Sequence, residues 1–182
     1  MRTDERFAAA TFAPPIRIAY AALRTPIGRI QVAASMDRVL YLQLPNQRSQ
    51  VPPFADWLRG PLLQKKKTPA LEQALRELEE YFEGTRRCFQ VPIAPAGTQF
   101  QQRVWGLIAT IAFGETRTYG DLASQLGNFN RARVVGAAVG ANPIPIIIPC
   151  HRVIASDGAM AGFGGGLSRK VWLLRHEGVL LT

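Results

Sequence analysis

Pro143-Ile144-Pro145-Ile146-Ile147-Ile148-Pro149-Cys150-His151-Arg152-Val153 places a thiol beside an imidazole at the end of an apolar run. Three prolines at alternate and flanking positions fix φ and bias the residues before them toward extended backbone, so the run reads as an extended rail. Its four isoleucines mark it as buried. A cysteine at the end of such a rail sits at a fixed point in a pocket. Cysteine is a strong nucleophile only as thiolate, a state that needs an adjacent base or positive charge. His151 and Arg152 supply both kinds of group. Taken alone, the pair is equally compatible with a buried, inert cysteine, the commonest state of a free thiol.

Upstream of the rail the chain reads as helices. Thr98 and Gln101 form a capping box for a helix running to about Ala112, with Phe100, Val104, Leu107, Ile108 and Ile111 facing inward. Thr118 and Asp121 form a second box, opening a short helix that stops at Gly127. Asn128-Phe129-Asn130 turns the chain into a third helix, from Arg131 to about Ala141. Short helix, tight turn and second helix is the helix-turn-helix pattern, although any helical hairpin shares that spacing. The third helix is rich in small residues (Ala132, Gly136, Ala137, Ala138, Gly140, Ala141), with Arg131 and Arg133 at its entrance. Such a helix either packs closely in a core or offers a thin face to DNA.

The first half has a different texture. Residues 16–43 alternate and turn as a β-meander, through Ile16-Arg17-Ile18-Ala19-Tyr20, Ile30-Gln31-Val32-Ala33 and Val39-Leu40-Tyr41-Leu42. Turns fall at Thr25-Pro26-Ile27-Gly28 and Ser35-Met36-Asp37-Arg38. Residues 44–67 carry little pattern and include Lys65-Lys66-Lys67, a solvated loop or a DNA contact. Thr68-Pro69 opens a helix with Leu71, Leu75, Leu78 and Phe82 as its apolar stripe, ended by Gly84. Residues 86–97, with Pro92 and Pro95, read as a linker between a domain at 1–97 and a second at 98–182.

Composition narrows the function classes. The chain has 182 residues and a net charge of +9. Residues 1–97 carry 14 Lys and Arg against 9 Asp and Glu, and residues 98–182 carry 8 against 4. That balance suits a polyanion partner without separating nucleic acid from a membrane surface. Cys88 and Cys150 form no disulfide framework or Cys-x-x-Cys pair, and with only His151 and His176 beside them no metal site is expected. A reactive thiol suits a reducing compartment. The start, Met1-Arg2-Thr3-Asp4-Glu5-Arg6, lacks a signal peptide's apolar segment, and no stretch is long enough to span a bilayer. The expectation is a cytoplasmic protein without membrane association.

From Phe100 to Gly178 the chain resembles the O6-alkylguanine-DNA alkyltransferases, or methylated-DNA–protein-cysteine methyltransferases. The resemblance lies in Phe100-Gln101-Gln102-Arg103-Val104-Trp105, Gly114-Glu115-Thr116-Arg117-Thr118-Tyr119-Gly120, Arg133-Val134-Val135-Gly136 and Ala141-Asn142-Pro143. It continues through Pro149-Cys150-His151-Arg152-Val153, Gly164-Gly165-Gly166-Leu167, Trp172-Leu173-Leu174 and His176-Glu177-Gly178. Residues 1–97 match more loosely. The resemblance implies an α+β protein. Its N-terminal part would be a small antiparallel sheet with helices, ribonuclease-H-like, and its C-terminal part mostly helical, winged-helix-like, with the helix-turn-helix.

The activity implied is irreversible, stoichiometric transfer of the alkyl group from O6-alkylguanine in DNA, and from O4-alkylthymine, to Cys150. The base is first flipped from the duplex, and no cofactor takes part. His151 would take the thiol proton, oriented by Glu177 through a bridging water. Tyr119 would rotate the nucleotide and donate a proton toward guanine N3. Asn142 would tie the helix-turn-helix to the active-site turn. The third helix would enter the minor groove of double-stranded DNA with little sequence preference, the protein acting as a monomer. Arg133 would fill the gap in the stack; Ala132 and Gly136 would face the groove; Arg131 and Arg152 would meet phosphates. Phe163, Gly164 and Val153 would line the guanine pocket. Phe163 and Gly164 depart from the Tyr and Ser of many members: a ring that walls the pocket survives that change, and a role needing the hydroxyl does not. A DNA-binding regulator without chemistry would not need Cys150, His151 or Glu177, and lesion-sensing relatives that do not transfer lack the cysteine. A cysteine hydrolase would need a separate histidine motif.

Overall fold

Alternation in the first half produces a sheet, and capped amphipathic segments in the second half produce helices, giving an α+β fold. The computed structural model describes residues 18–46, 63–64, 67–127, 132–160 and 162–180. Strands β1 (Ile18–Thr25), β2 (Gly28–Ala34) and β3 (Val39–Gln43) form the antiparallel meander, with Thr25 paired to Gly28 and a register shift at Ala33/Ala34. Gly28 closes the first hairpin at φ +108, and a Cβ there would lie 2.8 Å from the Pro45 ring, so both backbone and space require glycine. The patternless stretch contributes a two-residue strand, β4 (Leu63–Gln64), parallel to β1 at the sheet edge, in the order β3-β2-β1-β4. Two residues are too few for alternation to reveal. Lys67 is exposed, while Ile16, Arg17, Lys65 and Lys66 lie outside the described residues.

Helix α1 (Pro69–Phe82) lies across β1, β2 and β3. Thr68 caps it, accepting from the Leu71 N–H, and Gly84 ends it at φ +79. Leu71, Leu75 and Leu78 are buried as the stripe predicts, and Phe82 is half-buried. The segment read as a linker is packed: Val91 and Ile93 are fully buried, and the Val39 N–H donates to Pro92 O while the Ala94 N–H donates to Val39 O. Prolines at 92 and 95 resemble linker punctuation, yet they leave the residues between them free to bridge beside β3.

Helix α2 (Gln99–Ala109) begins with the expected capping box but stops short of Ala112, because its last turn tightens: Thr110 and Ile111 donate to Leu107 O and Ile108 O. Strand β5 (Arg117–Thr118) pairs in parallel with β6 (Val153–Ile154), a second small sheet that no periodicity announced. The Thr118–Asp121 box opens α3 (Tyr119–Gln125), which packs against α4 (Ala132–Gly140). The turn at 128–130 and Arg131 fall outside the described residues. The last helix, α5 (Leu167–His176), packs on the short 3-10 turn Cys150–Arg152.

The apolar run before Cys150 is buried throughout, as its isoleucines predict, but it is not an extended rail. The Ile148 N–H donates to Ile144 O at 2.9 Å, folding the run into a tight loop, and Ile146 takes φ +75. A β-branched residue there costs about 1–3 kcal/mol, tolerated only where the surroundings over-determine it. Ile144, Ile146 and Ile148 are fully buried, so apolar packing dictates the turn over intrinsic φ preference.

One core cluster runs through both halves, and Trp105 is the largest side chain fully buried in it. Its indole N–H donates to Ala138 O at 2.8 Å, satisfying a last-turn carbonyl of α4 and fixing α2 against it. Trp105→Phe is expected to lower stability by about 1–3 kcal/mol, the cost of leaving that carbonyl unpaired together with lost packing. Urea unfolding checks this; an unchanged midpoint would show that α4 is anchored by other contacts.

Candidate active site

Cys150 opens the 3-10 turn that ends the apolar loop, and its residue is 7% exposed. Its N–H donates to Ile148 O, and the Val153 N–H closes the turn on Cys150 O. Asn142, two residues past the end of α4, binds both sides of this loop. Its amide N–H groups donate to Ile148 O at 2.9 Å and to Cys150 Sγ at 3.1 Å, and its carbonyl accepts from the Ile144 N–H at 3.0 Å. A carbonyl faces the amide nitrogen and an N–H faces the amide oxygen, so the network fixes the amide's orientation. Asn142 therefore does more than tie two elements together: it touches the sulfur and favours its anion.

His151 is fully buried, with Nε2 2.8 Å from Glu177 Oε1. This contact is direct, unlike the water-bridged one implied by the resemblance. Glu177 follows α5 and receives a fork from Arg152, Nε to Oε2 at 2.8 Å and Nη2 to Oε1 at 2.9 Å. Burial alone would raise the Glu177 pKa, but hydrogen bonds from His151 and Arg152 outweigh it and hold the carboxyl well below its usual range. Burial in turn lowers the His151 pKa despite the Glu177 contact, keeping the imidazole neutral at pH 7. A neutral ring beside a carboxylate carries its proton on Nε2, which leaves the Nδ1 lone pair as the base. Nδ1 has no hydrogen-bond partner among the described residues.

Burial pushes the Cys150 thiol up to about 11, with the Asn142 hydrogen bond and the Lys170 charge pulling it back only in part. Lys170, on α5, is fully buried, and its Nζ donates to Val153 O at 2.6 Å. The thiol is thus stored protonated, with a hydrogen-bond donor and a cation placed to support the anion.

Gly162–Gly165 face Cys150 across a cleft lined also by Leu44, Val139 and Asn142. Gly165 is fixed by close approach, since a Cβ there would lie 2.5 Å from Leu44 and 2.8 Å from the Phe163 ring. The cleft holds ≈ 10 Å³, room for about one water. A larger hollow of ≈ 350 Å³ is lined by Arg87, Cys88 and Phe113 among others; the buried Cys150, next to His151 in the chain, lines the smaller one.

Tyr119, the first residue of α3, is half-buried with its hydroxyl 3.5 Å from Gly162 O, and its ring lies against Gly136 of α4. Burial, and then the Cys150 charge, raise its pKa, so it is a proton donor. On α4, Val135, Ala138 and Val139 face the core, and Arg133, Val134, Ala137 and Gly140 face solvent, with Ala132 and Gly136 between. One face of the small-residue helix is packed in the core and the other is open to solvent. Arg133 makes no ion pair among the described residues.

Two expectations are corrected. Arg152 is no phosphate contact: its side chain is 7% exposed, forked on Glu177, with Nη1 donating to Ile111 O. A guanidinium with a buried carboxylate partner is not free to reach the surface. Val153 does not line the cleft; it is fully buried in β6, where its carbonyl holds Lys170, while Phe163 and Gly164 do line it. Two residues near the chemistry escaped the sequence reading. Lys170 sits in a helix whose Lys and Arg residues look like ordinary surface charge, and Tyr81, whose hydroxyl reaches Glu177 Oε1 at 2.7 Å, lies 96 positions from its partner.

The chain matches known proteins along most of its length. The family model of the 6-O-methylguanine DNA methyltransferase DNA-binding domain matches residues 99–179, and that of its ribonuclease-like domain matches residues 18–95. A methylated-DNA–protein-cysteine methyltransferase of Methanosarcina acetivorans is 38% identical over 159 residues, 87% of this chain and 97% of the relative. One from Mycobacterium leprae is 41% identical over 153 residues, 84% of this chain and 88% of the relative. The crystal structure of Mycobacterium tuberculosis OGT in complex with DNA is similar in fold, with TM-score 0.75, 39% identity, and coverage of 87% of this chain and 92% of that one. A buried thiol with an imidazole–carboxylate relay, in a chain this similar along nearly its whole length, makes the chain a member of the methylated-DNA–protein-cysteine methyltransferase family.

Proposed function

We propose that the protein repairs DNA by moving the alkyl group of O6-alkylguanine, and of O4-alkylthymine, onto Cys150 Sγ. The observation that carries this reading is a buried Cys150 thiol, protonated at rest and held by Asn142, followed in the chain by a His151 whose Nε2 is fixed on Glu177 and whose Nδ1 has no hydrogen-bond partner among the described residues. The Cys150 proton passes to His151 Nδ1, and the imidazolium is stabilised by Glu177. Sγ attacks the alkyl carbon, the C–S bond forms as the C–O6 bond breaks, and the electron pair stays on the purine. Tyr119 donates a proton to the ring, so that neutral guanine leaves. Phe163 walls the pocket without a hydroxyl, which leaves Tyr119 and backbone N–H groups of the glycine segment as donors. No group here cleaves the thioether, so one molecule repairs one lesion. No step needs a metal or organic cofactor.

A base stacked in a duplex cannot reach a sulfur this buried, so the reading includes base flipping at a cost of a few kcal/mol. The exposed face of α4 suits the minor groove, where small side chains fit and Arg133 enters the vacated stack. Recognition through phosphates and groove shape carries little sequence preference. Arg131 remains a phosphate-contact proposal. The cleft admits a purine only after Gly162–Gly165 draw back. We further infer a monomer acting on double-stranded DNA in the cytoplasm, with the division at about residue 97 separating a supporting domain from the reactive one.

Reaction with duplex DNA carrying labelled O6-methylguanine should add one methyl mass to the peptide containing Cys150, and Cys150→Ser should bind the DNA without taking label. Label on Cys88, or none on the protein, overturns the reading.

Arg133→Ala should slow repair of duplex DNA at least tenfold more than reaction with free O6-benzylguanine, which needs no flipping. Equal losses on both substrates would remove Arg133 from the stack.

A thiol held near 11 should be sluggish toward a reagent that brings no recognition. Iodoacetamide at pH 7.5 should therefore label exposed Cys88 well before Cys150, with the Cys150 rate rising about tenfold per pH unit up to pH ~10. Rapid labelling of Cys150 at neutral pH would show a preformed thiolate.

A further inference from the structure

Glu177 Oε1 accepts from three donors: Tyr81 Oη at 2.7 Å, His151 Nε2 at 2.8 Å and Arg152 Nη2 at 2.9 Å. Oε2 accepts from Arg152 Nε at 2.8 Å and, weakly, from the Gly114 N–H at 3.4 Å. The oxygen that serves the base is therefore shared with a hydroxyl from α1, an element of the sheet-bearing half. Tyr81 is fully buried, and burial with the Glu177 charge beside it raises its pKa far above the ordinary range, so it can only donate. Its ring packs against Phe89, Phe113 and His176 at centroid distances of 5.4, 6.2 and 5.0 Å. Its main-chain carbonyl lies 2.6 Å from His176 Nε2, and the His176 ring stacks on Trp172. Held from both ends, the hydroxyl is a rigid post. A satisfied core tyrosine needs only some acceptor; this one uses the oxygen on which the base depends.

We infer that Tyr81 is a positioning residue for alkyl transfer: its hydroxyl fixes the Glu177 oxygen that orients His151 and shares that oxygen's charge with the imidazole. The N-terminal half thereby takes part in setting the proton acceptor while touching neither substrate nor thiol. This rests on the transfer reading above. The charged and titratable groups around the His151–Glu177 pair are Arg152 from the 3-10 turn, Tyr81 from α1 and Lys170 from α5, with Cys150 preceding His151 in the chain and His176 behind Tyr81. Removing the Tyr81 donor leaves more negative charge on Oε1, which stabilises the imidazolium. The acid limb of the rate–pH profile then moves to higher pH, because His151 must be neutral to accept the proton.

The test is the single-turnover rate with free O6-benzylguanine from pH 5 to 9, followed by intact-protein mass, for wild type, Tyr81→Phe and Tyr41→Phe. Tyr41 is a fully buried tyrosine of β3 outside this network, and its variant controls for loss of a core hydroxyl. Tyr81→Phe should react about tenfold slower on the plateau, the scale on which outer partners of a working histidine act, with its acid limb displaced upward. Tyr41→Phe should keep the wild-type profile. If Tyr81→Phe does not fold, 3-fluorotyrosine placed at position 81 serves instead: it keeps the shape, strengthens the donor and should move the limb to lower pH. A folded Tyr81→Phe or fluorotyrosine protein with the wild-type rate and limb overturns the inference alone. A wild-type protein that takes no alkyl group overturns the transfer reading and this inference with it.

Discussion

The buried Glu177 carboxylate is the constraint around which the rest is arranged. An ionised carboxyl out of water is tolerable only when its lone pairs are filled by donors, and removing one partner of such a pair typically costs about 3–5 kcal/mol. Its donors come from α1, from the segment after α2 and from the 3-10 turn, while Glu177 itself follows α5. Satisfying one charge therefore draws four separate parts of the chain together. Those parts bring His151 with them, and His151 brings Cys150. The geometry of the base is a by-product of solving a desolvation problem.

The same burial explains how the thiol can be both reactive and safe. A thiol pushed up to about 11 is nearly all neutral at pH 7, so stray electrophiles find little thiolate. The means of producing the anion are kept beside it as a hydrogen bond from Asn142, a base lone pair on His151 and the charge of Lys170. In the proposed transfer they act once a substrate carbon is within reach, where each proton lost to His151 is committed to attack. Selectivity lies less in the sulfur than in what must be true of the cleft before the sulfur ionises.

The elements were legible where a local rule governs them. The Thr98–Gln101 and Thr118–Asp121 boxes, the Thr68 cap with Pro69, and the alternation from Ile18 to Leu42 each set their structure within a few residues, and the structure follows them. The thiol and the imidazole proposed as its base were legible as a pair because they are adjacent in sequence. What failed was whatever depends on long-range packing. Pro143 and Pro145 favour extended backbone locally, yet the loop through Ile146 is set by burial on all sides. Arg152 reads as a surface cation until Glu177, 25 positions away, is seen to hold it. The tyrosine at 81 reads as an ordinary core aromatic until its hydroxyl is traced into the other half of the chain. Charge pairing and hydroxyl partners leave no periodic trace, so spacing cannot find them.

Single use follows from the same chemistry. The polar groups assigned to Cys150 in the proposed transfer, Asn142, His151 and Lys170, serve to remove a proton or to support an anion on sulfur. Once the sulfur carries carbon it is neutral, and none of those groups can act on it: His151 finds no proton to take, and the amide of Asn142 and the charge of Lys170 face an atom with no charge to stabilise. Reversal would require the purine to return as an anion and attack a carbon held by a poor leaving group. The alkyl carbon also has to be housed beside an amide that stood 3.1 Å from the bare sulfur, in a cleft with room for about one water. In the proposed transfer the site is thereby spent by the one displacement it performs.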